Sequence, residues 1–210
     1  MLIVTESGTV YSQGNYLTDV ACLGTGDNHH ESSLKRIEFF ETRVGSMYGP
    51  VVRVGAGQDF SVFVTKSGQV FCCGINDAGQ LGTGDKKTKY PRLIEYFMKE
   101  NIRIVDIACG DKHVIALADN GVVFYWGNND CLEPKPMTLP SKYENGIKGI
   151  TKIVAGGFSF ILTNKHGIYY QSKKTDFVKF DINLFNNAQT IVDVAVNQDK
   201  LVILTTTSTK

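Results

Sequence analysis

A strand-turn-strand cassette recurs down this chain and restricts it to a repeat architecture. It reads Val4-Thr-Glu-Ser-Gly-Thr-Val-Tyr11, Val64-Thr-Lys-Ser-Gly-Gln-Val-Phe71 and Leu117-Ala-Asp-Asn-Gly-Val-Val-Phe124, with a worn copy at Thr163-Asn-Lys-His-Gly-Ile-Tyr-Tyr170. The turn glycines Gly8, Gly68, Gly121 and Gly167 stand 60, 53 and 46 residues apart. Repeats of this length made of short strands indicate a propeller or a solenoid. A second landmark keeps step with the first. Its copies are Val51-Val-Arg-Val-Gly-Ala-Gly57, Ile104-Val-Asp-Ile-Ala-Cys-Gly110, Thr151-Lys-Ile-Val-Ala-Gly156 and Ile191-Val-Asp-Val-Ala-Val196.

Within one unit, Val62–Thr65 is rich in β-formers, Lys66-Ser67-Gly68 is a hairpin turn, and Gln69–Cys73 returns. A looser third strand is expected at Arg36–Phe40 and Arg92–Tyr96, and the Ile104-type segment is the fourth. The fold class is therefore all-β, a propeller of about four four-stranded blades. Residues 1–210 form one repeat domain, with units near 2–61, 62–114, 115–160 and 161–200 and a closing strand at 201–206. No long helix is expected. Pro91–Lys99 has helical spacing, but it aligns with a strand in the other units. Four units leave open a small ring, an arc, or part of a longer propeller. An arc exposes sheet edges that proteins normally cover, so something should pair with its ends.

Composition excludes several classes. With 42% hydrophobic and 20% charged residues the chain is neither disordered nor membrane-spanning. The start, Met-Leu-Ile-Val-Thr-Glu, lacks the pattern of a signal peptide. Five cysteines without a CxxC pair read as free thiols in a reducing compartment, so an intracellular setting, cytosol or nucleus, is expected. Cys72 and Cys73 are strand neighbours and should face opposite ways. A net charge of +1 argues against direct nucleic-acid binding, which rests on many phosphate contacts.

The units resemble those of the regulator of chromosome condensation family. The specific stretch is Gly68-Gln-Val-Phe-Cys-Cys-Gly-Ile-Asn-Asp-Ala-Gly-Gln-Leu-Gly-Thr-Gly-Asp85, followed by Tyr90-Pro91 and Ile107-Ala-Cys-Gly-Asp-Lys-His113. The first unit keeps Leu23-Gly-Thr-Gly-Asp27 and the third keeps Trp126-Gly-Asn128. The family's recurrent histidine is present only as His113. The other units have Phe60, Ser159 and Asp199 there. The resemblance implies a β-propeller like that of the Ran guanine-nucleotide exchange factor, acting on a Ran-like or related small GTPase. It also admits a non-catalytic scaffold for protein partners. Certain bacterial effectors share the resemblance, and a lysine-rich composition with few arginines keeps that origin, and hence a host cytosol, in view.

No covalent chemistry is legible. The glycine runs fit neither a phosphate-binding loop nor a dinucleotide fingerprint. His29 and His30 are adjacent with no ligand partners at metal spacing, and no serine sits on a nucleophile elbow. No metal or cofactor is expected. The first repeat is seven residues longer than the second, and the excess is expected around Arg43–Pro50. Exposed Arg, Met and Tyr on a loop are favoured partner-binding types. The candidate contacts are accordingly Arg43, Met47 and Tyr48, with Asp85, Lys86, Asp111 and His113 on blade loops. A structural role for His113, bonding between blades, is the competing expectation.

Overall fold

The computed structural model describes residues 1–14, 21–26, 31–84, 86–137, 149–157, 159–164, 167–172, 178–180, 190–197 and 200–206. Among these, the strands form five antiparallel sheets in chain order. The first has three strands, β1 (Leu2–Val4), β2 (Val10–Gly14) and β3 (Glu31–Arg36). Three complete four-stranded blades follow. They are β4 (Val51–Ala56) to β7 (Lys87–Leu93), with β5 (Phe60–Thr65) and β6 (Val70–Ile75) between; β8 (Ile104–Cys109), β9 (His113–Ala118), β10 (Val123–Gly127) and β11 (Cys131–Pro136); and β12 (Lys152–Gly156), β13 (Ser159–Asn164), β14 (Gly167–Ser172) and β15 (Val178–Phe180). The last sheet is the pair β16 (Thr190–Asn197) and β17 (Lys200–Thr206). Each blade thus begins with the second sequence landmark and continues into the cassette that follows. The first strands β4, β8, β12 and β16 pack on one another in series and form the inner side of the array.

The cassette folds as its residues require. Gly8, Gly68 and Gly121 all take φ near +85°, the left-handed region that glycine enters without a Cβ penalty. The turns are hydrogen-bonded alike: Gly8 N–H donates to Thr5 O at 2.9 Å, Gly68 to Thr65 O at 2.8 Å, and Gly121 to Ala118 O at 2.9 Å. β5 and β9 are buried along their whole length because each face meets a different neighbouring blade. Val62 and Val64 face forward to Val114, Ala116 and Phe124 of the third sheet. Phe63, one residue between them, faces back to Val10, Ile37 and Phe40. Ile115 and Leu117 repeat the forward contact towards Ile153 and Tyr169. Each such side chain removed from water contributes about 1.5–3 kcal/mol. Cys72 and Cys73 belong to these two opposite interfaces, and all five cysteines are free thiols.

The third strand lies earlier than expected, and the helical spacing of Pro91–Lys99 is partly real. β3 ends at Arg36 and β7 at Leu93; a 3-10 turn (Glu38–Glu41) and a short helix (Glu95–Lys99) follow them. The reason is the same in both units. Ile37 and Ile94 close the ladder by donating to Val10 O and Val70 O, each at 2.9 Å. The chain then coils so that Phe40 and Phe97, three residues on, drop into the blade interfaces.

Two opposite rims as the candidate functional site

Antiparallel blades sort their connections onto two rims, separated by strands of five or six residues, or roughly 16–20 Å. One rim holds the cassette turns and the links between sheets. There Lys66 N–H donates to Pro50 O at 2.8 Å, Ser67 N–H to Tyr48 O at 3.3 Å and Asp119 N–H to Arg103 O at 2.9 Å. The other rim holds the β4–β5 and β8–β9 turns and the β6–β7 and β10–β11 loops. There Gln58 N–H donates to Asp111 O at 3.0 Å and Asp111 N–H to Gly157 O at 3.1 Å, linking the turns of three successive blades.

The predicted contacts do not converge on one site. Arg43, Met47 and Tyr48 lie on the link rim. Lys86 and Asp111 lie on the opposite rim, and Asp85 falls outside the described residues. On the link rim, Arg43–Ser46 forms a single helical turn, α1. Thr42 caps it: its Oγ1 accepts from Gly45 N–H at 3.2 Å and donates to Phe39 O at 2.6 Å. Gly45 is buried because α1 sits flat on the preceding 3-10 turn, so close that a Cβ there would lie 2.7 Å from Phe40 Cα. Val44 and Met47 project outwards, 60% and 70% exposed, and Arg43 is exposed beside them. Tyr48 is half-buried, its ring 5.4 Å from that of Phe71, and anchors the link. A cleft of about 260 Å³ opens between the first cassette turn and this link, lined by Ser7, Thr9, Phe40, Glu41, Ser46 and neighbours.

The insertion is smaller than expected. Phe40 to Val51 spans four residues more than Phe97 to Ile104, so α1 accounts for four of the seven extra residues. The other three precede β3's end, between Gly14 and Ile37.

His113 is not a contact residue; the expectation that it touches a partner is corrected here. It is fully buried. Its Nδ1 lies 3.3 Å from Asn128 Nδ2, and its ring packs 5.8 Å from that of Tyr125. The imidazole occupies the space above Gly110 where a Cβ would otherwise stand, and Phe60 does the same over Gly57 one blade earlier. The glycine two residues before the turn's end is thus the seat for a ring, which explains why phenylalanine can replace histidine in the second blade. His29, His30 and His166 lie outside the described residues.

The glycine-rich stretch after β6 is a clamp between blades. Asn76 Oδ1 accepts from Leu81 N–H at 2.8 Å, and Gln80 Oε1 accepts from Ala78 N–H at 2.8 Å. The next blade then grips the loop. Trp126 Nε1 donates to Gln80 O at 2.9 Å, Asn129 N–H donates to Ala78 O at 2.9 Å, and Lys112 Nζ donates to Asp77 Oδ2 at 2.7 Å. The hydrogen bond from Lys112, with one from Gln80, holds the Asp77 carboxyl below its ordinary range.

Sequence reasoning missed a charge series on the inner strands. Arg53, Asp106, Lys152 and Asp193 pair across their hairpins with Val64, Leu117, Thr163 and Leu204, one equivalent register position in four blades. Arg53 Nε lies 3.7 Å from Asp106 Oδ1, and Lys152 pairs with Asp193. The signal was present in the second landmark, whose charged position alternates in sign: Arg53, Asp106 and Asp193 stand third in their copies and Lys152 second in the copy that begins at Thr151. Burial raises the Asp106 carboxyl, opposed by the Ile107 N–H, Arg53 and Lys152. Burial likewise pushes the Cys109 thiol up to about 12 and raises Cys73 well above its ordinary value, so neither is a nucleophile at neutral pH. Among the described residues no helix is long and apolar enough to cross a membrane.

Comparisons agree with this architecture. The sequence matches the Regulator of chromosome condensation (RCC1) repeat over residues 67–117, and a second description of the same repeat over 51–80 and 104–132. The human Regulator of chromosome condensation is 30% identical over 174 residues, covering 79% of this chain and 39% of its own. The bovine Secretion-regulating guanine nucleotide exchange factor is 34% identical over 128 residues, 60% of this chain and 25% of its own. Human E3 ubiquitin-protein ligase HERC2 is 32% identical over 169 residues, 76% of this chain and 3% of its own. Among solved structures, human WBSCR16 superposes with a TM-score of 0.78 at 20% identity, over 97% of this chain and 56% of that one. Prp20p from Saccharomyces cerevisiae gives 0.74 at 17%, over 97% and 53%. These two likenesses speak to the fold alone. The chain spans little more than half of those propellers and less than half of the curated relatives. With its cassettes, its ring-seating glycines and its inter-blade clamp, the chain belongs to the family of regulator of chromosome condensation repeat β-propellers.

Proposed function

We propose that the chain regulates a small GTPase, in the manner of a guanine-nucleotide exchange factor, through the link rim around α1. The observation that carries the reading is an apolar knob, Val44 and Met47, held on a capped helical turn beside the Arg43 cation. Exposed methionine with arginine is a favoured composition for a protein contact. A fixed projection suits exchange because no bond is made or broken. The factor need only bind the nucleotide-free GTPase better than the loaded form, and that difference drives nucleotide release. One relative supports the reading by name, a guanine nucleotide exchange factor. The Prp20p structure was reported with that protein's binding to Gsp1p and histones. Lys86 and Asp111 belong to a separate contact on the far rim, where a second partner segment could be held.

A scaffold without exchange activity is the second reading. It is favoured by the match to HERC2, in which the similar region is 3% of a very long chain. Release of a fluorescent GDP analogue from a panel of small GTPases separates the two. Exchange requires acceleration that is lost in Val44→Asp/Met47→Asp. Binding without acceleration supports the scaffold. If no GTPase in the panel binds, the regulator reading fails.

A further inference from the structure

The cleft on the link rim has a filled counterpart one blade later, and the comparison identifies what fits it. It lies between the first and second sheets: Val10, Ile37 and Phe40 line it and belong to the cluster that also holds Phe63 and Phe71. The matching residues of the next unit are Val70, Ile94 and Phe97. There the chain supplies its own filling. Ile102 packs on their cluster. Arg103 follows it, its stem lying over Gly68 and its Nη2 donating to Lys66 O at 2.7 Å. Gln69 adds a side chain whose Oε1 is buried. Counted back from Val51 and Ile104, Gly49 stands where Ile102 does and Pro50 where Arg103 does; Thr9 stands where Gln69 does. All three replacements shorten or remove a side chain at one place, and the cleft is the socket they leave.

The charge around the cleft changes in step. Lys66 of the second cassette turn is Glu6 in the first, and Met98 after Phe97 is Glu41 after Phe40. Where the second unit carries its own guanidinium, the first carries two exposed acidic residues. Glu41 lines the cleft. Arg36 Nη1 lies 3.3 Å from its Oε1, but a carboxylate has acceptor sites for a second cation. At about 260 Å³ the space is smaller than the roughly 300–1,000 Å³ of small-molecule pockets, so it suits one or two side chains. We infer that the cleft takes an extended segment of a protein partner that presents an aliphatic residue followed by arginine, the pair that Ile102 and Arg103 supply in the second unit. The aliphatic side chain fills the space left by Gly49. The arginine stem lies along Pro50, and its guanidinium reaches the Glu41 carboxylate and the Glu6 carbonyl, the counterpart of the Lys66 acceptor. Arginine suits the place better than lysine because its planar fork can hold a carboxylate and a carbonyl together. The inference deepens the link-rim reading above and rests on that rim facing a partner; its test uses no GTPase, so either can fail alone.

Titration of the isotope-labelled chain with the capped peptide acetyl-Gly-Ile-Arg-Gly-amide, followed by amide NMR shifts, tests this. Saturable shifts are expected at Gly8, Thr9, Glu41 and Ser46, and acetyl-Gly-Ile-Glu-Gly-amide should bind severalfold more weakly. Glu41→Gln is expected to weaken the arginine peptide about threefold, as loss of one exposed ion pair does, and to spare acetyl-Gly-Ile-Gln-Gly-amide. Thr9→Gln/Pro50→Arg rebuilds part of the second unit's filling and should abolish binding, with circular dichroism to show that the variant folds. If it does not fold, the Glu41→Gln comparison decides alone, and an unchanged affinity there overturns the inference. The absence of saturable shifts at the cleft overturns it as well. So does binding that survives in the folded Thr9→Gln/Pro50→Arg variant, which places the peptide elsewhere, or a glutamate peptide that binds as tightly as the arginine one.

Discussion

The indole of Trp126 donates to the carbonyl of Gln80, 46 positions earlier in the chain, across a 2.9 Å gap with both residues buried. This one bond ties the glycine-rich loop of the second blade to the body of the third. Trp126→Phe keeps an aromatic ring in the interface but leaves the Gln80 carbonyl without its donor. An unsatisfied buried acceptor costs about 1–3 kcal/mol. For a chain of this size each kcal/mol lowers the melting temperature by about 2–4 °C. A calorimetric scan should show that loss, and a melt within 1 °C or so of wild type would contradict the clamp.

Gly110 exists to seat the His113 ring. Gly110→Ala sets a methyl group against the imidazole and should destabilise by about 1–3 kcal/mol, as overpacking does. Gly110→Ala combined with His113→Ala should recover part of the loss, because the colliding ring is gone. His113→Phe should fold, as Phe60 does one blade earlier, at the expense of the contact to Asn128. Urea titrations of the wild type, Gly110→Ala, His113→Ala and the double variant give the coupling directly.

Asp77 gives the inter-blade clamp a pH dependence of known sign. Its carboxyl is held below the ordinary value in the folded chain, first by the hydrogen bond from Lys112. The associated stability is therefore present above the unfolded value and disappears as pH falls through the folded one. Both side chains are substantially exposed, which limits the pair to under about 1 kcal/mol. Lys112→Met should flatten the decline in stability between neutral pH and pH 3 by that small amount. The difference should shrink further in high salt.

Thr42 fixes the projection of α1. Thr42→Ala removes both the acceptor for Gly45 N–H and the donor to Phe39 O. A lost cap costs about 1 kcal/mol, which falls locally on a single helical turn. Hydrogen exchange at Gly45 should accelerate severalfold with little change in the melting temperature. An unchanged exchange rate would mean that Tyr48 alone holds the link against Phe71.

The blades were legible because hairpin chemistry is local. Gly68 and its counterparts declare their turns within four residues, and the alternation at Cys72 and Cys73 assigns each to its interface without further information. The end of the third strand was not legible. Ile37 and Ile94 are β-formers, and only the fit of Phe40 and Phe97 into distant sheets makes the chain coil after them. Of the candidate contacts, residue type anticipated that Arg43 and Met47 would be exposed, but sequence spacing could not show that antiparallel strands send Lys86 and Asp111 to the other rim. For His113 the family motif marked a repeated position, and only burial over Gly110 distinguishes a packing ring from a contact.

The series Arg53, Asp106, Lys152, Asp193 imposes a parity rule on how such an array can grow or shrink. Excising the single repeat that carries Asp106 would bring two cations together on adjoining inner strands. Excising a consecutive pair would leave opposite signs adjoining. The alternating inner charge pattern therefore survives only the removal of an even number of consecutive repeats.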